Sequence, residues 1–378
     1  MALHSIFNLM RAVAFILFFG LISCQETAKV ITPTTLTNNP LQSEMDSAVQ
    51  KAFADNLEML DSPGISIGVL KDGKTSYYGY GETALGSGVV PNENTYFEIG
   101  SITKTFSAIA IAEMLLKEQK EIETPVRSYL PSELPTLQRG GVEITFKHLL
   151  THTSGLPRMP NNFSPITAYE AYSKAKLYQY LYNIQLESVP FTKYNYSNTG
   201  FGILGDILER HYNSSYSDLM SNQLFGPLNL KDTKVEFEKT DLNRWATGYS
   251  KGRKTDYWKN MNAMNGAGVI KSTAKDLLLY AKVNLSPPDN ILGKAIKLTH
   301  RKAFEDIYGE QALAWVMSAS RKNSDKRILW HNGGTGGFNS WLYLNEENNS
   351  ALVILFNSSI DNEQRAEFIF SLLNIIRE

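Results

Sequence analysis

Phe97-Glu-Ile-Gly-Ser101-Ile-Thr-Lys104-Thr-Phe-Ser-Ala-Ile-Ala-Ile-Ala-Glu-Met-Leu-Leu116 is the stretch on which the reading of this chain turns. A glycine precedes Ser101, and a long apolar run with no break follows Lys104, so a buried helix begins beside the serine. At such a start a hydroxyl meets unpaired helix N–H groups and the positive end of the dipole, both of which favour developing negative charge. Lys104 lies three residues on, with its amine on the same face as the hydroxyl. Ser-x-x-Lys also occurs at Ser173–Lys176 and Ser272–Lys275. Those copies have other contexts: Ser173 is expected inside a polar amphipathic helix, and Ser272 as a helix cap. The chemistry is therefore assigned to Ser101.

Two later runs supply what a serine nucleophile needs. They are Tyr196-Ser-Asn198 and His331-Asn-Gly333-Gly334. A free hydroxyl is too weak an acid to attack at neutral pH, so a base must take its proton. Lys104 is one candidate, with a pKa lowered by burial; Tyr196 is the other, since a nearby cation eases loss of its proton. Asn198 stands two residues after Tyr196, and its amide can both donate and accept. Gly333 and Gly334 have no side chain to hold a substrate away, and a backbone N–H there can join that of Ser101 in binding an oxyanion. The set as a whole is suited to acyl transfer through a covalent serine intermediate.

The order and wording of these runs resemble the serine β-lactamase and penicillin-binding-protein superfamily, in its class C and DD-peptidase branch. Further stretches carry the likeness: Pro63-Gly-Ile-Ser-Ile-Gly-Val69, Leu149-Leu-Thr-His-Thr-Ser-Gly-Leu-Pro157, Gly266-Ala-Gly-Val-Ile-Lys-Ser-Thr-Ala-Lys-Asp-Leu277 and His331-Asn-Gly-Gly-Thr-Gly-Gly-Phe338. The resemblance runs from about Met45 to the C-terminus. It implies catalytic roles for Ser101, Lys104 and Tyr196, a clamp role for Asn198 on Lys104 and the substrate, and a pocket edge at His331, Gly333 and Gly334. No residue spacing suggests a metal site, and no cofactor is expected. Class C β-lactamases carry lysine where this chain has His331, and an unperturbed histidine of pKa ~6.5 is mostly neutral at pH 7, gaining charge below about pH 6. The attraction for a substrate carboxylate is expected to be weaker accordingly. The resemblance thus implies a DD-peptidase or D-amino-acid amidase first, an esterase second and a β-lactamase third, with a non-hydrolytic acylating sensor as the alternative from another class. His152 with Ser154 is not read as a catalytic pair, because no strand-turn-helix elbow surrounds Ser154.

With 37 basic and 38 acidic residues among 378, the net charge is −1, and nothing recruits nucleic acid. The expected partner is a small molecule or peptide: a peptidoglycan-like peptide, an ester or a β-lactam. Residues 1–23 read as a signal peptide, with Arg11 ahead of an apolar run shorter than the ~20 residues a membrane-spanning helix needs. The single cysteine, Cys24, follows in Leu21-Ile-Ser-Cys24, which resembles a bacterial lipobox. Lipidation there would anchor the protein to a membrane of the cell envelope. Residues 24–44 are expected to form the lipidated cysteine and a flexible tether, rich in Thr, Asn and Pro, its ~18 central residues spanning about 25 Å as a random coil. Residues 45–378 are expected to form the hydrolase body. Strands are predicted at Ile65–Leu70, Thr75–Tyr80, Asn339–Leu344 and Ala351–Phe356, and a closing helix over Glu363–Ile376. Strands at both ends and helices between predict an α+β fold, an antiparallel sheet flanked by terminal helices with a helical lobe inserted over about 121–259.

Overall fold

The computed structural model describes residues 32–164, 169–307, 309–319, 327–359 and 362–377. The segment expected to hold the signal peptide and Cys24 lies outside them. Eight antiparallel strands form the main sheet: β1 (Gly64–Lys71), β2 (Lys74–Gly81), β3 (Phe304–Asp306), β4 (Gly309–Gln311), β5 (Val316–Ala319), β6 (Arg327–Gly334), β7 (Asn339–Asn345) and β8 (Ser350–Phe356). Their spatial order is β2-β1-β8-β7-β6-β5-β4-β3. The chain's two ends meet in the sheet interior, where β1 pairs with β8 in the register Ile65 to Phe356.

Alternation along the strands assigns side chains to two cores, because successive residues of a strand point to opposite faces. In β8, Leu352, Ile354 and Phe356 join a cluster with Ile65, Ile67, Val49, Phe53, Phe368 and Leu372. Ala351, Val353 and Leu355 join the larger core on the opposite face. The first cluster is closed by α1 (Glu44–Asn56) and by the long C-terminal helix Asn362–Arg377, whose Phe368, Ile369, Leu372, Leu373 and Ile376 are all buried. Burying each such side chain is worth ~1.5–3 kcal/mol, so this pairing of terminal helices is a main support of the sheet.

On the other face lie α2 (Thr103–Lys117), α3 (Asn198–Tyr212) and α4 (Ala274–Leu285). Between α2 and α4 the chain is mostly short helices and loops, with two-stranded ribbons at Gln138–Arg139 with Val142–Glu143, and at Gly248–Ser250 with Arg253–Thr255.

The expected tether ends earlier than the composition suggested. The Gly81 N–H donates to the Leu36 carbonyl at 2.8 Å, and the Asn38 N–H to the Gly79 carbonyl at 3.3 Å. Asn39 is buried, and its amide donates to Tyr80 Oη and to the Asp46 carbonyl. Polar groups of residues 36–39 thus cover the free edge of β2, which would otherwise expose unpaired backbone.

Candidate active site

Ser101 sits in a single tight turn, Gly100–Ile102, that runs directly into α2. Gly100 has φ 47°, a left-handed conformation that glycine adopts without strain. The turn is clamped from both sides. The Ile99 N–H donates to the Ile270 carbonyl at 3.1 Å, and Ser340 Oγ on β7 donates to the Ile99 carbonyl at 2.9 Å. Glu98, one residue earlier, is buried opposite Lys271, and accepts a short hydrogen bond from the Trp258 N–H. Burial pushes the Glu98 carboxyl up from its usual pKa, while contacts with Thr335 and Trp258 and the Lys271 charge pull it back.

The two pocket glycines divide the work expected of both. A Cβ on Gly333 would come within 2.0 Å of the Ile99 carbonyl oxygen, so this glycine lets β6 lie against the nucleophile's turn. A Cβ on Gly334 would meet nothing within 4 Å, so Gly334 is the one facing open space. Gly334 also runs beside Gly100, where a Cβ would fall 2.8 Å from the Gly334 nitrogen.

Lys104 is fully buried, and its Nζ lies 3.1 Å from Ser101 Oγ. The amine donates to the Ala267 carbonyl at 2.6 Å. Burial, and then the Arg158 charge, holds its pKa well below the usual lysine value. An amine whose pKa is lowered in this way can act as the base for the serine hydroxyl beside it. Tyr196 shows the opposite displacement. Burial pushes its phenol up to about 12, although the Arg158 charge and a hydrogen bond with Ser101 both pull it down.

The Tyr196 ring is the hub of the site. Lys104 Nζ stands 4.9 Å from its centroid and the Arg158 guanidinium carbon 5.1 Å. The His152 ring centroid is 4.3 Å away and that of His331 6.5 Å. His152 Nδ1 accepts from the Ser197 N–H at 3.0 Å, which places the ring proton on Nε2. His152 makes no pair with Ser154; it braces the backbone next to Tyr196, a role the sequence reading did not assign. His331 is buried, and its Nδ1 lies 2.6 Å from the Asn332 carbonyl, so that nitrogen carries the proton. Burial and then the Lys104 charge push its pKa down to about 3. The gain of charge expected below about pH 6 is therefore displaced to far lower pH.

Three further expectations need correction. Asn198 is the first residue of α3; its side-chain amide points to Met159 Sδ at 3.5 Å, and the Ala267 carbonyl holds Lys104 in its place. Ser173 caps the helix Lys174–Tyr182 from outside, accepting from the Lys176 N–H, instead of lying within it. Ser272 belongs to a short strand pair with Phe97, and the cap of α4 is Thr273. Neither serine has a lysine amine beside its hydroxyl.

The family model described as Beta-lactamase matches residues 49–373. A β-lactamase of Escherichia coli K12 is 25% identical over 369 residues, covering 88% of this chain and 94% of the relative. A β-lactamase of Yersinia enterocolitica is also 25% identical, with 88% and 92% covered. The class C β-lactamase structure from Rhodobacter sphaeroides superposes with a TM-score of 0.78 at 24% identity, over 88% of this chain and all of that one. A β-lactamase/D-alanine carboxypeptidase from Pseudomonas syringae gives 0.77 at 23%, over 88% and 99%. At those identities the two structures speak for the fold alone. With a matched region that spans nearly the whole described body and encloses Ser101, Lys104 and Tyr196, the chain belongs to the Beta-lactamase family and is a serine hydrolase.

Proposed function

We propose that the protein cleaves an amide or ester through an acyl-Ser101 intermediate, with D-amino-acid peptides or amides as its first substrate class. The observation that carries this reading is the 3.1 Å approach of a fully buried, pKa-depressed Lys104 amine to Ser101 Oγ. Lys104 takes the Ser101 proton as Oγ attacks the carbonyl carbon. The oxyanion is held by the N–H groups of Ser101 and Gly334, each such donor being worth ~10²–10³ in rate. Tyr196 keeps its proton at neutral pH, so it can pass one to the leaving nitrogen or oxygen as that bond breaks, and recover one from Lys104. Water then releases the acyl group by the same steps in reverse order. His331, where class C β-lactamases carry lysine, resembles the DD-peptidases, D-amino-acid amidases and esterases of the family and supports those classes over β-lactams. Turnover on nitrocefin, p-nitrophenyl acetate and a D-Ala-D-Ala peptide, measured on one preparation, tests the ranking. Ser101→Ala should abolish both turnover and the penicillin adduct; an adduct on Ser154, Ser173 or Ser272 would refute the assignment. A stable adduct with no turnover would favour the acylating sensor.

We also propose that the protein is exported and anchored in the cell envelope through lipid on Cys24. Among the described residues no helix is long and apolar enough to cross a membrane. Membrane fractionation should find Cys24→Ala released and the unaltered protein retained. Retention of both would remove the anchor.

A further inference from the structure

One charge at the site also faces solvent. Burial holds the pKa values of Lys104 and His152 well below their usual values and pushes that of His331 down to about 3. Arg158 differs from them all. It is exposed, it follows the Thr153-Ser-Gly-Leu-Pro157 loop, and a guanidinium stays charged at any physiological pH. Its backbone is fixed: the Arg158 carbonyl accepts from the Asn198 N–H at 2.9 Å and the Thr199 N–H at 3.3 Å, the first amides of α3. Its guanidinium lies 5.1 Å from the centre of the Tyr196 ring, the same ring that Lys104 approaches at 4.9 Å. It forms no ion pair with a carboxylate among the described residues. A planar cation with no carboxylate partner among the described residues, held against the Tyr196 ring at the rim of the site, suits a bidentate carboxylate.

We infer that Arg158 reads a carboxylate on the substrate, supplying from the lobe side the fixed charge that His331 does not supply from the sheet side. This rests on the acyl-transfer reading above. It also narrows the substrate class to acyl donors with a free carboxylate close to the scissile bond, as in a peptide C-terminus. Charge recognition has moved, on this account, from β6 to the loop ahead of α3.

The test compares benzylpenicillin with its methyl ester, which differ only in that carboxylate, as acylating agents of Ser101 followed by intact-protein mass. The wild type should prefer the free acid. Arg158→Gln should lower the acid-to-ester ratio of acylation rates by about tenfold, and Arg158→Lys should keep part of the preference. The ratio cancels any effect of the substitution on Lys104 basicity. Added salt at 0.5 M should shrink the wild-type ratio and leave that of Arg158→Gln alone, because an exposed charge pair is screened at that strength. An acid-to-ester ratio that Arg158→Gln does not change would overturn the inference, even if both rates fall. The hydrolase reading fails differently: neither compound would form an adduct on wild-type Ser101, and the inference would fall with it.

Discussion

Lys104 carries a conflict between function and stability in one side chain. Folding strips its amine of water and holds it beside another cation, so the charged form that predominates in the unfolded chain at pH 7 is disfavoured. Between the folded pKa and the unfolded value of ~10.4 the unfolded state binds more protons, so stability rises with pH across that window. Each unit of depression corresponds to about 1.4 kcal/mol at pH values below both. Lys104→Met should therefore raise the melting temperature at pH 7, and its advantage over the wild type should shrink as pH climbs toward 10. The same variant should lose ~10²–10⁴ in acylation rate, the scale of a lost general base. Lys104→Arg should be equally inactive, since a guanidinium does not give up its proton. Calorimetry from pH 6 to 10 checks the first expectation; a stability difference that is constant with pH would show that Lys104 is charged in the folded protein.

At the scale of elements, the site exists because β6 touches the turn that precedes α2. Gly333→Ala would drive a Cβ into the Ile99 carbonyl, a backbone atom held by Ser340 and unable to swing aside. The strand or the turn must shift, at a cost of ~1–3 kcal/mol, and the oxyanion donors separate with it. Gly334→Ala meets open space and should melt like the wild type. Thermal melts with penicillin acylation rates should find Gly333→Ala deficient in both; a normal Gly333→Ala would mean the clamp is not needed. This contact had no sequence signature beyond two adjacent glycines. What was legible followed from periodicity: the helix after Ser101, the strands Gly64–Lys71 and Ser350–Phe356, and the face of the last helix. What was not legible was made by backbone atoms or short polar contacts. The Ala267 carbonyl that holds Lys104 looks like any other alanine, and residues 36–39 dock through amides instead of apolar side chains. The Lys104 contact expected of Asn198 is replaced because helix α3 starts at that residue and turns its side chain toward Met159.

At the scale of the whole molecule, the two chain ends are one structural unit. β1 and β8 pair along six residues, and Arg365 of the last helix is fully buried. That arginine donates to the carbonyls of Leu60, Asp61 and Ser358. Strand pairs separated by nearly the whole chain are slow to form, because closing the loop costs entropy before any contact offsets it. A chain ending at Asn345 should thus acquire no penicillin adduct, although it contains every residue of the site; an adduct would show that the lobe and β6 assemble without β8. On the proposal that the protein is exported, this closure would act as a timer during passage through a narrow channel. Until Ser350–Phe356 has been synthesised and laid beside Gly64–Lys71, the polypeptide has no finished sheet in which to lock, and it stays threadable. A prematurely terminated copy should likewise be left without a working serine, so that the last strand would serve as a proof of completeness written into the architecture.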